Sequence, residues 1–193
     1  MDKLCLLFFA ALVSISAAQL KCDTPPVWEA RLFESNPKFD RLAKISYDAE
    51  NMRTRIIEEV FIESDQEKDY YDELFLHQEK MGYKLNLKTK ECEKFTLNEP
   101  FREVGVPLGA RLEGELEIGT AAFPGAGVRV QVYEAETPRG RYAGEWIPVD
   151  HLCVPVSDTF ISQRDRSISH WSFFDLTLGI KDPNVFDIPP DCM

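Results

Sequence analysis

The sequence predicts an all-β fold in which helix is a minor element, and three observations support this prediction. Apolar and polar residues alternate with period two along most of the chain. Turn-forming Asn, Asp, Gly and Pro residues separate the alternating stretches. Long stretches with helical periodicity are scarce. About ten short strands at hairpin spacing are typical of an antiparallel sandwich or an open, curved barrel.

Alternation also locates the individual strands. In residues 112–118, Leu112, Leu116 and Ile118 alternate with glutamates, as expected for a half-solvated strand. The other strands that we predict are 28–33, 41–47, 53–62, 73–78, 83–88, 92–97, 128–133, 142–149, 154–162 and 167–180. Residues 64–75 are the best candidate for a helix, and their acids fit an exposed loop leading into a strand equally well.

The N-terminus has the pattern of a secretory signal peptide in residues 1–18. Lys3 supplies the positive charge, residues 4–13 form an apolar run, and Ser16-Ala17-Ala18 fit a cleavage site. The run has about half of the ~20 residues that a transmembrane helix needs, and no later segment is long and apolar enough to span a membrane. We therefore predict a secreted, soluble protein with a single domain, residues 19–193.

The charge of the chain limits the classes of partner and cofactor. A net charge of -11 argues against nucleic acid, which requires clustered Lys and Arg, and disfavours anionic lipid surfaces. Calcium is the only cofactor that the acids suggest, although they lack the glycine turn of an EF-hand and a solvated segment is the favoured interpretation. The acids concerned are Glu58, Glu59, Glu63, Asp65, Glu67, Asp69, Asp72 and Glu73.

The cysteines predict two disulfide bridges. Cys5 would leave with the signal peptide, and the mature chain would retain Cys22, Cys92, Cys153 and Cys192. An even number in a secreted chain indicates bridges, and the wide spacings exclude the usual zinc and redox motifs. Spacing alone leaves three pairings open.

Motifs for catalysis are missing from the sequence. His77, His151 and His170 are scattered, and there is no G-x-S-x-G, H-E-x-x-H or phosphate-binding loop. Gly125-Ala126-Gly127 precedes a strand and fits a turn. We therefore predict that the protein is not an enzyme; a lipid or glycan hydrolase using Asp175 or His170 is the minor alternative.

Aromatic residues concentrate in the last third of the chain. Within 167–180, alternation places Phe174, Leu176 and Leu178 on one face and Trp171 and Phe173 on the other, which predicts a strand buried on both sides. A packed core or the wall of an apolar ligand cavity would each explain this. The wall candidates chosen by alternation are Ile57, Phe61, Leu74, Leu76, Tyr83, Leu85, Leu116, Val130, Val132, Trp146, Phe174 and Leu178.

Several ordered motifs resemble the ependymin-related proteins, and the mammalian members most closely. They are Cys22-Asp23-Thr24-Pro25-Pro26, Ser46-Tyr47-Asp48, Glu91-Cys92-Glu93-Lys94, Cys153-Val154-Pro155-Val156 and the stretch 173–186, which continues to Cys192. The resemblance covers essentially the whole mature chain. The chain departs from many relatives because it lacks a third cysteine pair and an Asn-x-Ser/Thr sequon.

The resemblance implies a more specific fold and function. It implies two curved antiparallel sheets forming a half-barrel around a hydrophobic pocket, similar to bacterial lipoprotein-carrier folds, and bridges pairing Cys22 with Cys153 and Cys92 with Cys192. It further implies a secreted homodimer that binds a lipid or other amphipathic ligand, with calcium binding, a role in cell-matrix adhesion and a lysosomal location for mammalian members. The alternative is an extracellular matrix or adhesion protein with a packed core and no ligand.

Overall fold

In the computed structural model, the described residues are 24–59, 69–150 and 152–193. They form eleven β-strands and a short 3-10 helix, Pro190–Cys192. The strands are β1 (Val27–Asn36), β2 (Phe39–Asp48), β3 (Arg53–Glu58), β4 (Tyr71–Leu76), β5 (Met81–Asn86), β6 (Cys92–Thr96), β7 (Arg111–Gly119), β8 (Gly127–Thr137), β9 (Gly140–Val149), β10 (Leu152–Ser162) and β11 (Ile168–Leu178).

All these strands belong to one antiparallel sheet in the order β6-β5-β4-β3-β2-β1-β11-β10-β9-β8-β7. Strands β1 to β6 and strands β7 to β11 each pair in chain order, and the β1–β11 pair joins these two halves. Strands β6 and β7 form the two edges, so the sheet is open. The predicted all-β, antiparallel and unclosed fold is confirmed, and the two expected sheets are the two halves of one continuous sheet.

Paired apolar positions give this sheet an inner face. Trp28 lies opposite Tyr47, and Leu32 lies opposite Ala43, in the register of β1 and β2. All four side chains are buried, and such cross-strand pairs are the unit of sheet stabilisation. The alternate positions of β1, such as Arg31, point to the other face, as period-two alternation requires.

The inner faces of the two halves share one hydrophobic core. Trp28 and Leu32 of β1 belong to the same cluster as Tyr133 of β8, Trp146 of β9 and Phe173 of β11. Burial of each large side chain contributes roughly 1.5 to 3 kcal/mol. The sheet is therefore curved so that β8 and β9 contribute to the core that β1 and β2 form.

The outer face carries a second, smaller core under the C-terminal segment. Leu74 of β4 and Leu85 of β5 pack there with Phe186 and Cys192. A disulfide joins Cys192 to Cys92 of β6, with a Cα–Cα distance of 5.3 Å, which confirms this predicted pairing. The bridge therefore holds the end of the chain over the outer face.

The prediction that the strand of residues 167–180 is buried on both faces is wrong. Phe174 is 50% exposed and Leu178 is 68% exposed, whereas Phe173 is buried. An extra residue in β11 shifts its register against β1 between Glu29 and Arg31, and Asp175 has a φ of 54°. This bulge interrupts the alternation, and Leu176 packs on the same cluster as Phe173.

Strand β7 is not the half-solvated strand that its alternation predicts. Leu112, Leu116 and Ile118 are 38%, 58% and 45% exposed. As an edge strand, β7 pairs only with β8 in the described part of the chain. Its apolar positions therefore have few neighbours on either face.

Two further predictions lie partly or wholly outside the described residues. Tyr71–Leu76 is strand β4, so the helical alternative is wrong for this part of 64–75, and residues 64–68 lie outside the described residues. The predicted signal peptide also lies outside them. No helix in the described ranges has the length and hydrophobicity to cross a bilayer.

Candidate functional site

The connection between β6 and β7 crosses the open inner side of the sheet. We call residues 101–108 of this connection the covering segment. Val104 and the nearby Ala110 are buried in the main core, and Phe101 and Val106 pack against it. The segment lacks regular strand or helix structure, so side-chain contacts rather than a ladder of hydrogen bonds hold it in place.

A cavity of about 740 Å³ lies between the covering segment and the sheet. Its walls come from the covering segment, from Thr24, Pro25 and Pro26 before β1, and from β2, the β8–β9 hairpin and β10. This volume falls within the ~300–1,000 Å³ range of sites that bind small molecules. The lining residues beyond those already named are Tyr47, Ala49, Thr137, Arg139, Tyr142, Asp158 and Phe160.

Aromatic side chains form the apolar part of the wall. Tyr47 stacks on Phe101 of the covering segment with 5.6 Å between ring centroids, and on Trp28 of the core with 4.9 Å. The Tyr47 hydroxyl accepts a hydrogen bond of 3.0 Å from the backbone N–H of Val104. Burial of the hydroxyl raises the pKa of Tyr47. Tyr47 therefore both lines the cavity and holds its cover.

A buried carboxylate forms the polar part of the wall. Asp158 of β10 is 4% exposed, and Arg102 of the covering segment lies 3.4 Å from it (Nη2 to Oδ2). Burial raises the pKa of Asp158 and nearby Glu34 raises it further, whereas Arg102 and His170 lower it. The Arg102 guanidinium also lies 5.7 Å from the ring centroid of Trp171. The cavity therefore combines apolar walls with an ion pair between a buried carboxylate and a half-exposed arginine.

Tyr142 connects this ion pair to the core. Its hydroxyl accepts a hydrogen bond of 2.9 Å from Nε1 of Trp146. Burial is the main cause that raises the pKa of Tyr142, and the negative charge of Asp158 acts in the same direction. Because both effects disfavour a phenolate, Tyr142 is a neutral hydrogen-bonding group at ordinary pH.

The Thr24 hydroxyl is a further polar group in the cavity lining. The Oγ1 atom of Thr24 is buried and makes no hydrogen bond within the described part of the chain. Leaving a buried polar atom unsatisfied costs roughly 1–3 kcal/mol, so this position favours a bound polar group or water.

Further along the inner face, a charged network centres on Arg41. Its guanidinium contacts Glu34 at 2.8 Å, Glu58 at 3.6 Å and Glu73, and Lys84 lies 3.4 Å from Glu73. Burial lowers the pKa of Arg41, but the adjacent Glu73 and Glu34 carboxylates outweigh this effect and keep it raised. The inner face is therefore partly ionic, in addition to the hydrophobic surface that the family resemblance implies.

Arginine side chains already pair with several carboxylates of the calcium site suggested by the sequence. Glu58 and Glu73 pair with Arg41, Glu59 pairs with Arg31, and Asp72 pairs with Arg55. Glu63, Asp65 and Glu67 lie outside the described residues. Among the described ones, no group of three or more His, Cys, Asp or Glu side chains is placed to hold a metal ion.

The wall candidates chosen from the sequence lie elsewhere. None of those described lines this cavity. Leu74, Tyr83 and Leu85 belong to the outer cluster with Leu76 packed against it, Trp146 and Val130 are fully buried, and Ile57 and Val132 are partly buried. Leu116, Phe174 and Leu178 are exposed, and Phe61 lies outside the described residues.

The structure describes only some of the remaining predicted cysteine and histidine residues. Cys153 is disulfide-bonded, and its predicted partner Cys22 lies outside the described residues, as does His151. His170 is hydrogen-bonded to Thr159 at 2.9 Å and to Ser172 at 2.8 Å. His77 packs edge-on against Phe101 of the covering segment.

These features define a class of protein: an open, single-sheet β fold whose inner face is crossed by a covering segment over a cavity with apolar and ionic walls. Sequence comparison gives the family. The ependymin family model matches residues 65–192, about two thirds of the chain, and the chain therefore belongs to the ependymin family.

Individual relatives agree with this assignment, and one solved structure shares the fold. Mammalian ependymin-related protein 1 of Rattus norvegicus is 32% identical over 178 residues, which cover 89% of this chain and 75% of the relative. Ependymin of Notemigonus crysoleucas is 24% identical, covering 98% and 88% of the two chains. An uncharacterized conserved protein from Thermus thermophilus is similar in fold, with a TM-score of 0.53, 11% identity and 88% coverage of both chains.

Proposed function

We propose that this ependymin-family protein is a secreted, non-catalytic carrier that holds an amphipathic ligand in the cavity beneath residues 101–108. The observation that carries the proposal is the two-part lining of this cavity. Tyr47, Phe101 and Phe160 offer apolar surface, whereas Arg102 and Asp158 offer a polar end. A molecule with an apolar body and a polar group matches both parts.

The energetics of such binding require no catalytic group. An alkyl chain gains about 0.8 kcal/mol for each CH₂ that leaves water, so apolar walls alone can retain a lipid. The polar group of the ligand would compete with water at Arg102, which remains half exposed. It could also hydrogen-bond the Thr24 hydroxyl, which has no partner among the described residues. The covering segment would exclude solvent from the apolar part.

The proposal includes further features that the sequence and the family resemblance suggest. Residues 1–18 would direct secretion, Cys22 would pair with Cys153, and the mature protein would form a homodimer. Calcium binding, contact with extracellular matrix or cell-surface components, and a lysosomal pool belong to the same proposal. Each of these features can be tested independently of ligand binding in the cavity.

A cavity-filling variant tests the ligand site directly. Ala49 lines the cavity, and the indole of an Ala49→Trp variant would narrow the space that a ligand needs. Titration with a fluorescent fatty acid should give saturable binding to the wild type and at least tenfold weaker binding to this variant. Thr89→Trp, on the exposed β5–β6 turn away from the cavity lining, is the matched control and should bind like the wild type. Equal binding by all three proteins would exclude this cavity as the site.

A structural protein without a ligand is the second candidate, and one observation favours it. The inner face is filled over much of its area by its own side chains, including the fully buried Trp28, Leu32 and Trp146. In that case the cavity would hold only water, the unliganded protein would be fully stable, and lipid would neither copurify nor change its melting temperature.

A further inference from the structure

The Asp158 carboxylate has hydrogen-bonding capacity that the described part of the chain does not use. An ionised carboxylate offers about four acceptor positions on its two oxygens. Among the described residues, Asp158 accepts one hydrogen bond, from Nη2 of Arg102 to Oδ2 at 3.4 Å. This distance is longer than the roughly 2.7–2.9 Å of strong charge-assisted hydrogen bonds. Asp158 is 4% exposed and lines the cavity, so its remaining acceptor positions are available to water or a ligand inside the cavity.

Tyr142 places a hydroxyl beside this carboxylate. Asp158 of β10 lies opposite Gly144 of β9 in the register of the two strands, and opposed side chains share one face of a sheet. A Cβ atom at Gly144 would collide with the Tyr142 hydroxyl, so this hydroxyl occupies the space over Gly144. Burial raises the pKa of Tyr142, and the charge of Asp158 raises it further, as expected for neighbouring groups.

The Tyr142 hydroxyl also has a proton to donate. Its oxygen accepts a hydrogen bond of 2.9 Å from Nε1 of Trp146, which uses the indole donor. Within the ranges that the structure describes, the hydroxyl proton has no acceptor. Tyr142 lines the cavity, as Asp158 does. A hydrogen-bond acceptor and a hydrogen-bond donor therefore lie side by side on the cavity wall.

The charges around Asp158 disfavour an anionic ligand. Arg102 is the cation paired with Asp158, and its side chain is 52% exposed, so solvent screens its charge. Glu103 and Arg139 are exposed lining residues of opposite charge, so together they add no net charge to the cavity. A carboxylate or phosphate beside Asp158 would place two negative charges in a poorly solvated space, which is costly.

We propose that the cavity selects amphipathic ligands whose polar group is a neutral hydroxyl on a long apolar chain. The ligand hydroxyl would donate a hydrogen bond to the Asp158 carboxylate and accept one from Tyr142. The chain would lie along Tyr47, Phe101 and Phe160, which belong to the apolar part of the lining. This inference rests on the proposed carrier function and adds the chemical class of the head group that the cavity prefers.

Other polar groups match these two partners less well. A carboxylate can accept from Tyr142 but is repelled by Asp158. An ether also accepts from Tyr142, and it leaves Asp158 without a donor. An ammonium group donates to Asp158, but it offers the Tyr142 proton no acceptor and adds a second cation beside Arg102. A hydroxyl satisfies both partners, because it is a donor and an acceptor at once.

An alcohol and its methyl ether test the hydrogen bond to Asp158. Displacement of a bound fluorescent fatty acid at pH 8 measures the affinities of oleyl alcohol and oleyl methyl ether. The wild type should bind the alcohol at least about tenfold more tightly, because a hydrogen-bonding site rejects an analogue that lacks the O–H. Both ligands can accept from Tyr142, so the difference isolates the contribution of Asp158. Asp158→Leu should abolish the preference for the alcohol.

A comparison with oleate tests the preference for a neutral head group. Asp158→Asn removes the negative charge and keeps an acceptor oxygen, so it should reduce the ratio of alcohol affinity to oleate affinity by about tenfold. Glu99→Gln is the matched control and should keep the wild-type ratio, because Glu99 is exposed and lies outside the cavity lining. Tighter binding of oleylamine than of oleyl alcohol would contradict a neutral head group.

The outcomes separate this inference from the carrier proposal. Equal affinity of the wild type for the alcohol and the ether, or an unchanged alcohol-to-oleate ratio in Asp158→Asn, would overturn the inference while lipid binding itself stands. If none of these lipids binds the wild type, the carrier proposal and the inference fail together. Melting curves establish that the variants are folded; only the half-exposed Arg102 loses its partner in them, and it can regain water.

Discussion

Arg102 and Asp158 form an ion pair that joins the covering segment to the buried inner face of the sheet, with 3.4 Å between Nη2 and Oδ2. The two partners differ in environment, because the Asp158 side chain is 6% exposed and the Arg102 side chain is 52% exposed. The arginine can regain water if the pair breaks, whereas the carboxylate cannot.

Because of this difference in exposure, removing each partner should change the free energy of unfolding by a different amount. Arg102→Gln leaves a buried carboxylate without its cation and should lower the free energy of unfolding by about 1–3 kcal/mol, less than for a fully buried pair because solvent screens the arginine. Asp158→Asn removes the buried charge and should be nearly neutral. Urea unfolding at pH 7 measures both changes, and a larger loss for Asp158→Asn would contradict this account of the pair.

Burial also predicts the pH dependence of this pair. The pKa of Asp158 is raised in the folded chain, so the stability that its protonated form contributes is present at low pH and is lost as the pH rises through the folded-state pKa. The window begins near the unfolded value of about 4 and extends upward. Asp158→Asn should therefore gain stability relative to the wild type between acidic and neutral pH, and the deficit of Arg102→Gln should shrink on acidification. Melting temperatures across this range would show both trends, and parallel curves would refute them.

Removal of the Cys92–Cys192 bridge should strongly lower the stability of the outer cluster. It closes a sequence separation of 100 residues, for which loop entropy gives about 4–5 kcal/mol of stabilisation. A Cys92→Ser and Cys192→Ser double variant should lose most of this and expose Leu74 and Leu85. Urea unfolding and protease cleavage near the C-terminus measure the loss; resistance equal to the wild type would show that packing of Phe186 alone holds the segment.

Calcium should have a modest effect on stability. Glu58, Glu59, Asp72 and Glu73 already pair with arginines, so a site in this region would depend on the other acids of the run. We expect a small rise in melting temperature at millimolar calcium, in the weak extracellular range of about 10⁻⁴–10⁻³ M, without an equal effect of magnesium. Identical melting curves with and without calcium would remove calcium from the proposal.

Alternation was sufficient to predict the strands because strand residues must sort between a buried and a solvated face. Trp28, Leu32 and Tyr47 follow this rule, and each strand of the sheet corresponds to a predicted stretch. Alternation could not predict the bulge at Asp175. One extra residue moves the side chains that follow it to the opposite face of the sheet, and the composition of the strand does not reveal this. Alternation also could not show that β7 lies at an edge, because pairing partners are set by topology.

The cavity could not be predicted from strand periodicity for a similar reason. Its cover, including Phe101, Arg102 and Val104, comes from an irregular segment that has no period to detect. The pairing of Arg102 with Asp158 spans 56 residues and exists only after the two halves of the sheet come together. Alternation identified the faces of the strands correctly in β1 and β2, but it carried no information about which face the chain would later cross.

Mass spectrometry of lipids extracted under mild conditions from the purified protein tests the central claim most directly. If the cavity under residues 101–108 holds an amphipathic ligand, the wild type should carry a near-stoichiometric lipid that is absent from Ala49→Trp and retained by Thr89→Trp. A wild-type protein without lipid, whose melting temperature does not change when fatty acid is added, would contradict the carrier function and leave the packed structural protein.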